Sequence, residues 1–227
     1  MCGLQFEKNI YVGQKDQAVS LFCDCHHYFL AGRIRRWTAE MKEEKGDIGM
    51  AIDDYQKASK LFDAEGGPIL PVSTSCLERA AFLMGSKEQK RYIEAATLYD
   101  MVGRRYLDEN LTKYSAKLFF FRSLLLRLVA TVAANHNHKK NDGNDTLMDF
   151  SDCITHMKQI QTEDCRFEDS AHCDFLWNLM TIQQTKNVDD FADHVYDFDA
   201  IYKLDDWSLE LLQVFFPLEG IINDDDA

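Results

Sequence analysis

The sequence predicts an all-α fold, and three observations carry that expectation. Breakers are scarce, with 11 Gly and 3 Pro in 227 residues, which suits long helices joined by short turns. Apolar residues recur at helical rather than alternating spacing, as in Ile52, Tyr55, Ala58, Leu61 and Phe62. A small residue also stands four places before an aromatic three times, at Ala18 and Phe22, Ala51 and Tyr55, and Ala95 and Tyr99. Their offsets of 33 and 44 residues are near the period of paired-helix solenoids. There the small residue admits a neighbouring helix and the aromatic fills the groove. The expected architecture is TPR-like: superhelical helical hairpins over 1–134, a polar loop over 135–146, and an acidic C-terminal helical bundle over 147–227.

The elements follow in order. The segment IDDYQKASKLF forms one hairpin helix. Gly66, Gly67, Pro68 and Pro71 then mark a turn, with Ser73 as the expected cap of the helix SCLERAAFLMG. IEAATLYDMV places Ala95, Leu98, Tyr99 and Val102 on one face. The next helix is expected over 109–133 and contains NLTKYSAKLFFFR. Lys113 and Lys117 share one face of it at i, i+4, while Leu118, Phe121 and Leu125 fall on an apolar face. Phe119, Phe120 and Phe121 cannot share one side of a helix, so at least one meets a neighbouring helix or a partner, and core packing between hairpins is expected. The tract NHNHKKNDGND reads as an exposed loop. Helices over 147–161, 169–184, 188–202 and 207–216 bring the total to about ten, with no sheet.

Composition narrows the class. Seven Cys without framework spacing fit a reducing compartment and free thiols. The N-terminal residues lack a basic region followed by an apolar core. The longest apolar run, Leu118 to Ala134, is interrupted by Arg122 and Arg127. A cytosolic, water-soluble protein is expected. The formal charge of −13 is uneven: residues 163–227 carry 17 acids against 3 bases, leaving the remainder near neutral. Such asymmetry suits two partners of opposite charge, and the acidic third repels nucleic acid.

Several constellations bear on chemistry. Cys23, Cys25, His26 and His27 form the most metal-like cluster, but one residue separates the thiols and no second ligand pair has zinc spacing. Cys153 and His156 stand at i, i+3 without an oxyanion loop nearby. His136 and His138 lie in the polar tract. GDIG and GGP lack the lysine of a phosphate loop. No catalytic residue, metal or cofactor is assigned.

The ordered motifs AIDDYQKASKLF, YIEAATLYDMVG, NLTKYSAKLFFFR and NVDDFADHVYDFDAIYKLDDW, the last with Leu204, Asp205 and Trp207, resemble the soluble NSF attachment proteins, or SNAPs. The resemblance runs from about Asp16 to about Phe216 and is closest to the alpha and beta types. It implies a non-enzymatic adaptor of vesicle-mediated and intracellular protein transport. A basic concave face would bind the four-helix SNARE bundle, syntaxin-type helices included, and an acidic C-terminal bundle would recruit the hexameric ATPase NSF. Membrane association would be peripheral, through partners, on secretory or endosomal membranes. The SNARE-facing cations carried over are Arg33, in an Ala-Gly-Arg turn, and Arg79, Lys113 and Lys117, with Arg35, Arg36 and Arg122 as neighbours. The acidic surface expected to face NSF in this sequence, by charge rather than by matched motif position, is Asp189, Asp190, Asp193 and Asp197, with Asp224, Asp225 and Asp226.

This sequence also departs from the pattern. The family's N-terminal hairpins and membrane-touching apolar loop have no counterpart here. A family lysine in the shortened segment after Arg33 has become Ala39 or is lost, and Ser75 stands where another SNARE-facing lysine is usual. Thr131, Thr181, Gln184 and Thr185 occupy positions that are usually acidic, and the family's penultimate leucine gives way to an Asp-Asp-Asp-Ala end. Two rival readings follow: a helical-repeat scaffold that binds SNAREs or another helical partner without NSF coupling, and a thiol- or metal-dependent enzyme built on Cys23, Cys25 and His26.

Overall fold

The computed structural model describes residues 14–67, 70–142 and 148–217. Among them every regular element is helical, and no strand occurs. The chain divides into two compact units, Met1–Met84 and Gly85–Ala227.

The first unit holds α1 (residues 14–24), α2 (Tyr28–Glu44), α3 (Ile48–Glu65) and α4 (Leu70–Met84). α2 packs on α3 and α3 on α4, so successive helices form hairpins. The expected small-then-aromatic pattern builds this core: Ala51 and Phe62 are wholly buried and Tyr55 nearly so. Gly32 belongs to the same device. A Cβ there would lie 2.8 Å from Cε1 of Phe62, so only glycine lets α2 approach that ring. The Ala31-Gly32-Arg33 stretch, expected as a turn, is therefore helical, its glycine serving close approach rather than chain reversal. Ser73 is likewise not a cap. α4 begins at Leu70 and tolerates Pro71 in its first turn. Ser73 instead turns inward, donating to Asp63 at 2.6 Å and lying 2.8 Å from the Ser59 hydroxyl.

The second unit holds α5 (Tyr92–Asp108), a 3-10 turn (Lys113–Ser115), α6 (Ala116–Asp142), α7 (Ser151–Glu163), α8 (Cys165–Glu168), α9 (Ala171–Thr185), α10 (Val188–Tyr202) and α11 (Asp206–Phe215). α6 is its spine, packing on α5, α7, α9 and α11. The three phenylalanines are all buried, each toward a different neighbour. Phe119 meets Tyr106 of α5 at 4.5 Å, Phe120 meets Phe167 of α8 at 6.3 Å, and Phe121 meets Phe175 of α9 and Phe198 of α10 at 6.0 and 5.8 Å. Consecutive helical side chains point about 100° apart, so one triplet engages four helices. By length and composition the segment Lys113–Asn135 is apolar enough to cross a membrane. Here its Phe and Leu side chains form the core of the unit, and only Leu118, at 40% exposure, stands off the apolar face expected for it.

The expected division near Ala134 is not where the units part. α6 runs through it, because the apolar residues that pack on α5 and those that pack on α7, α9 and α11 share one continuous helix. The tract expected as a polar loop over 135–146 is helical as far as Asp142, continuing the α6 hydrogen-bond ladder, and residues 143–147 lie outside the described ones. The helix expected over 109–133 starts late. Glu109 is extended and ends α5, and Thr112 Oγ1 donates to the Tyr106 carbonyl at 3.3 Å. The chain then passes through the 3-10 turn before α6. The later helices begin where side chains cap them: Ser170 accepts from Cys173 N, Asn187 from Asp189 N, and Asp205 from Ser208 N. The short α8, which no apolar repeat foretells, buries Phe167 completely.

Candidate partner-binding surfaces

In the first unit, Arg33 projects from the outer side of α2, exposed, with its guanidinium 5.9 Å from the Phe29 ring. Arg79, on α4, is also exposed but is held by Glu43, which Tyr55 Oη bonds at 2.8 Å. Burial alone would raise the Glu43 pKa; bonds from Arg79 and Tyr55 outweigh it and lower it. Two of the expected neighbours are differently placed. Arg35 is turned inward, with its side chain 19% exposed, 2.6 Å from Asp16 and 3.5 Å from Asp54. Lys42 also reaches that buried Asp54 at 2.7 Å. Arg36 pairs with Glu40 one turn on at 3.0 Å. Ser75 is exposed on α4 and Ala39 is wholly buried, so a lysine at 39 would have no room.

In the second unit, Lys117 is exposed on the first turn of α6, while Lys113 is half-buried on the 3-10 turn. The two do not share one α-helical face. Tyr114 stands between them at 68% exposure and Leu111 just before at 95%. The backbone carbonyl of Lys113 accepts a bond from Arg166 at 3.4 Å. Behind Lys117, His172 is packed edge-on to Phe121 and Phe198. Burial, then the charge of Lys117, lowers its pKa to about 4, so the imidazole is neutral at pH 7.

Arg122 is an internal residue. Its side chain is 15% exposed and donates to Asp205 at 2.5 Å, with its guanidinium 5.7 Å from both the Tyr99 and Trp207 rings. The Leu204, Asp205 and Trp207 element thus clamps α6 and caps α11. Deeper still, Asp100 of α5 is 3% exposed, with Oδ2 2.8 Å from Arg127 of α6 and 2.8 Å from His156 Nε2 of α7. Burial would raise its pKa, but bonds from His156, Ser123 and Arg127 outweigh it and hold it below the usual value. His156 is therefore engaged with Asp100 rather than acting as a base for Cys153, whose pKa burial raises. Among the described residues no group of three His, Cys, Asp or Glu is placed to hold a metal; Cys23 and Cys25 are free thiols, and His26 Nδ1 lies 3.0 Å from Tyr28 Oη.

The acidic candidates Asp189, Asp190, Asp193 and Asp197 are exposed on α10. Tyr196 and Ile201 stand among them at 74% and 73% exposure. No motif singled out these two. Their signal is an apolar residue on the acidic rather than the Phe191 and Phe198 face. Asp224, Asp225 and Asp226 lie outside the described residues. Of the usually acidic positions, Thr181, Gln184 and Thr185 are exposed on α9. Thr131 is half-buried, bonding the Arg127 carbonyl and lying 3.5 Å from Cys153 Sγ.

Among the described residues the chain is built of packed helices, with exposed cations on α2, α4 and α6 and exposed carboxylates on α10. Residues 9–214 match the family model described as "Soluble NSF attachment protein, SNAP", and the chain belongs to that family. It is 27% identical over 195 residues to an alpha-soluble NSF attachment protein of Dictyostelium discoideum, covering 86% of this chain and 60% of that protein. It is 25% identical to the human alpha protein, covering 86% and 59%, and 24% identical to the beta protein of Bos taurus, covering 86% and 58%. The chain thus spans about 60% of the length of the curated relatives it matches.

Proposed function

We propose that this chain is a non-enzymatic adaptor that binds assembled SNARE complexes, syntaxin-type helices included, and recruits the NSF ATPase for their disassembly in vesicle-mediated transport. The observation that carries this reading is the exposure of Lys117 and Arg33 within a family match covering most of the chain. The exposed acids of α10 are the surface offered to NSF, and membrane association is peripheral, through these partners, on the cytoplasmic side. Arg35 and Arg122 support the internal packing of their units, and Arg79 contributes only in competition with Glu43. Exposed pairs are each worth under about 1 kcal/mol, so binding is additive and salt-sensitive.

A second reading is favoured by the uncharged Thr181, Gln184 and Thr185 on the exposed side of α9: SNARE binding without productive coupling to NSF. One experiment separates the two, a pull-down on assembled SNARE bundle at low and physiological salt, with and without ATP-bound NSF. Retention of NSF supports the adaptor, and SNARE binding alone supports the second reading. Lys113→Glu with Lys117→Glu is expected to weaken bundle binding about tenfold or more, and unchanged binding overturns the SNARE assignment.

A further inference from the structure

An open groove of about 480 Å³ lies beside Arg33 within the first unit. Phe29, Phe62 and Val72 contribute apolar lining, and Arg33, Arg36, Trp37 and Glu40 complete the wall. Trp37 is 46% exposed, and Leu30, two turns before it on the same side of α2, is 39% exposed. An indole half in water on a helix that already buries Ala31 and Ala39 is an incompletely covered apolar surface, and tryptophan is among the side chains most enriched at binding hot spots.

The charge around it is mainly positive. Lys15 Nζ lies 3.6 Å from the centroid of the Trp37 ring. Arg33 has no carboxylate in ion-pair contact among the described residues and reaches over Phe29. Arg36 is engaged by Glu40, the one carboxylate of the lining. An apolar floor beside the unpaired guanidinium of Arg33 complements a segment that carries an apolar side chain next to a carboxylate.

We propose that this groove seats an apolar side chain from an acidic amphipathic helix, with Trp37 as one wall and Arg33 meeting a carboxylate on the adjoining turn. The inference rests on the SNARE-binding reading and adds a recognition element that charge does not supply. Apolar burial is insensitive to ionic strength whereas exposed ion pairs are screened. Binding therefore retains a component at high salt that belongs to Trp37.

The test uses the full chain and an assembled SNARE four-helix bundle, with affinity measured at 50, 150 and 500 mM salt (roughly threefold steps across the screening range). Trp37→Ala is expected to weaken binding roughly tenfold or more at every salt. Trp37→Phe keeps most of the affinity, and Lys113→Glu with Lys117→Glu loses affinity chiefly at low salt. A readout on the unaltered protein guards against a folding defect in the variants. Trp207 is buried and Trp177 half-buried, so iodide-quenchable emission comes mainly from Trp37, and the bundle is expected to shield it. If Trp37→Ala binds normally while the lysine reversals abolish binding, the groove proposal falls and the SNARE reading stands. If the unaltered chain ignores the bundle at every salt, both fall. Trp37-dependent binding to phosphatidylserine vesicles, with bundle affinity unaffected by the substitution, also overturns the proposal and makes the groove a membrane contact.

Discussion

Asp100→Asn is the perturbation that most directly tests how the second unit is held together. The carboxylate is 3% exposed and faces Arg127 and His156, whose side chains are 20% and 16% exposed. The amide preserves shape but removes the charge, leaving a largely buried guanidinium without a counter-ion. Breaking such a pair by removing one partner typically costs about 3–5 kcal/mol. The amide oxygen still accepts one bond and Arg127 keeps some water, so the expected loss is about 2–4 kcal/mol. That is a large share of the roughly 5–15 kcal/mol that stabilises an ordinary domain. Urea denaturation followed by far-UV circular dichroism at pH 7 should show the midpoint falling by about 1–2 M at an m-value near 2 kcal/mol/M. The pH dependence fixes the sign. Because the folded-state pKa is lowered, the carboxylate's contribution is complete above its unfolded value near 3.9 and is lost as pH falls through the folded value. The variant should therefore lose less stability on acidification than the unaltered protein. Glu40→Gln, at the exposed pair with Arg36, is the control and should cost about 0.5 kcal/mol or less. A loss below about 1 kcal/mol for Asp100→Asn, with unchanged m, would refute the claim that this network ties α5, α6 and α7.

Two further outcomes follow from the packing. His172, with a pKa near 4, should titrate far below an ordinary imidazole by NMR, and its pKa should rise in Lys117→Gln; a value of 6 or above contradicts the packing described. The sign is destabilising in acid: below about pH 6.5 the unfolded chain takes up a proton that the folded one refuses until about pH 4, a loss of about 2 kcal/mol once residual solvent is allowed for. Gly103→Ala would place a Cβ 2.6 Å from Cε1 of Phe120, a ring that is wholly buried. Overpacking of about 1–3 kcal/mol outweighs the helix propensity gained, so a lower urea midpoint is expected. Gly49→Ala, with open space around it, should raise the midpoint, and equal effects at the two glycines would count against the close-approach account.

The candidate site was partly legible in one dimension. Lys117 is exposed, as its place opposite the apolar face implied, but Lys113 is half-buried on the 3-10 turn, so the expected stripe of two lysines on one helical face does not form. Arg35 and Arg122 were not legible as internal residues. Their partners Asp54 and Asp205 lie 19 and 83 positions away, and no local pattern tells an arginine in water from one closing a distant carboxylate. Trp37, Tyr196 and Ile201 were missed for the converse reason: apolar side chains at helical spacing read as core until the neighbouring helix fails to cover them.

The sequence by itself determined the helical class and the small-then-aromatic positions at Ala51 and Tyr55 and at Ala95 and Tyr99, because helix propensity and apolar period act over a few residues. The caps were not legible this way: Ser73, the expected cap, turns inward, and the structure identifies Asn187 and Asp205 as caps. Tertiary structure decided where the helices stop and where the units part. The polar tract after Ala134 stays helical, and NLTKYS leaves the helix for a 3-10 turn, although local composition favours the opposite in each case. Only the packing of α6 on α5, α7, α9 and α11 made one helix serve both the expected hairpin and the expected bundle, since burial is a property of neighbours that the chain brings together from afar.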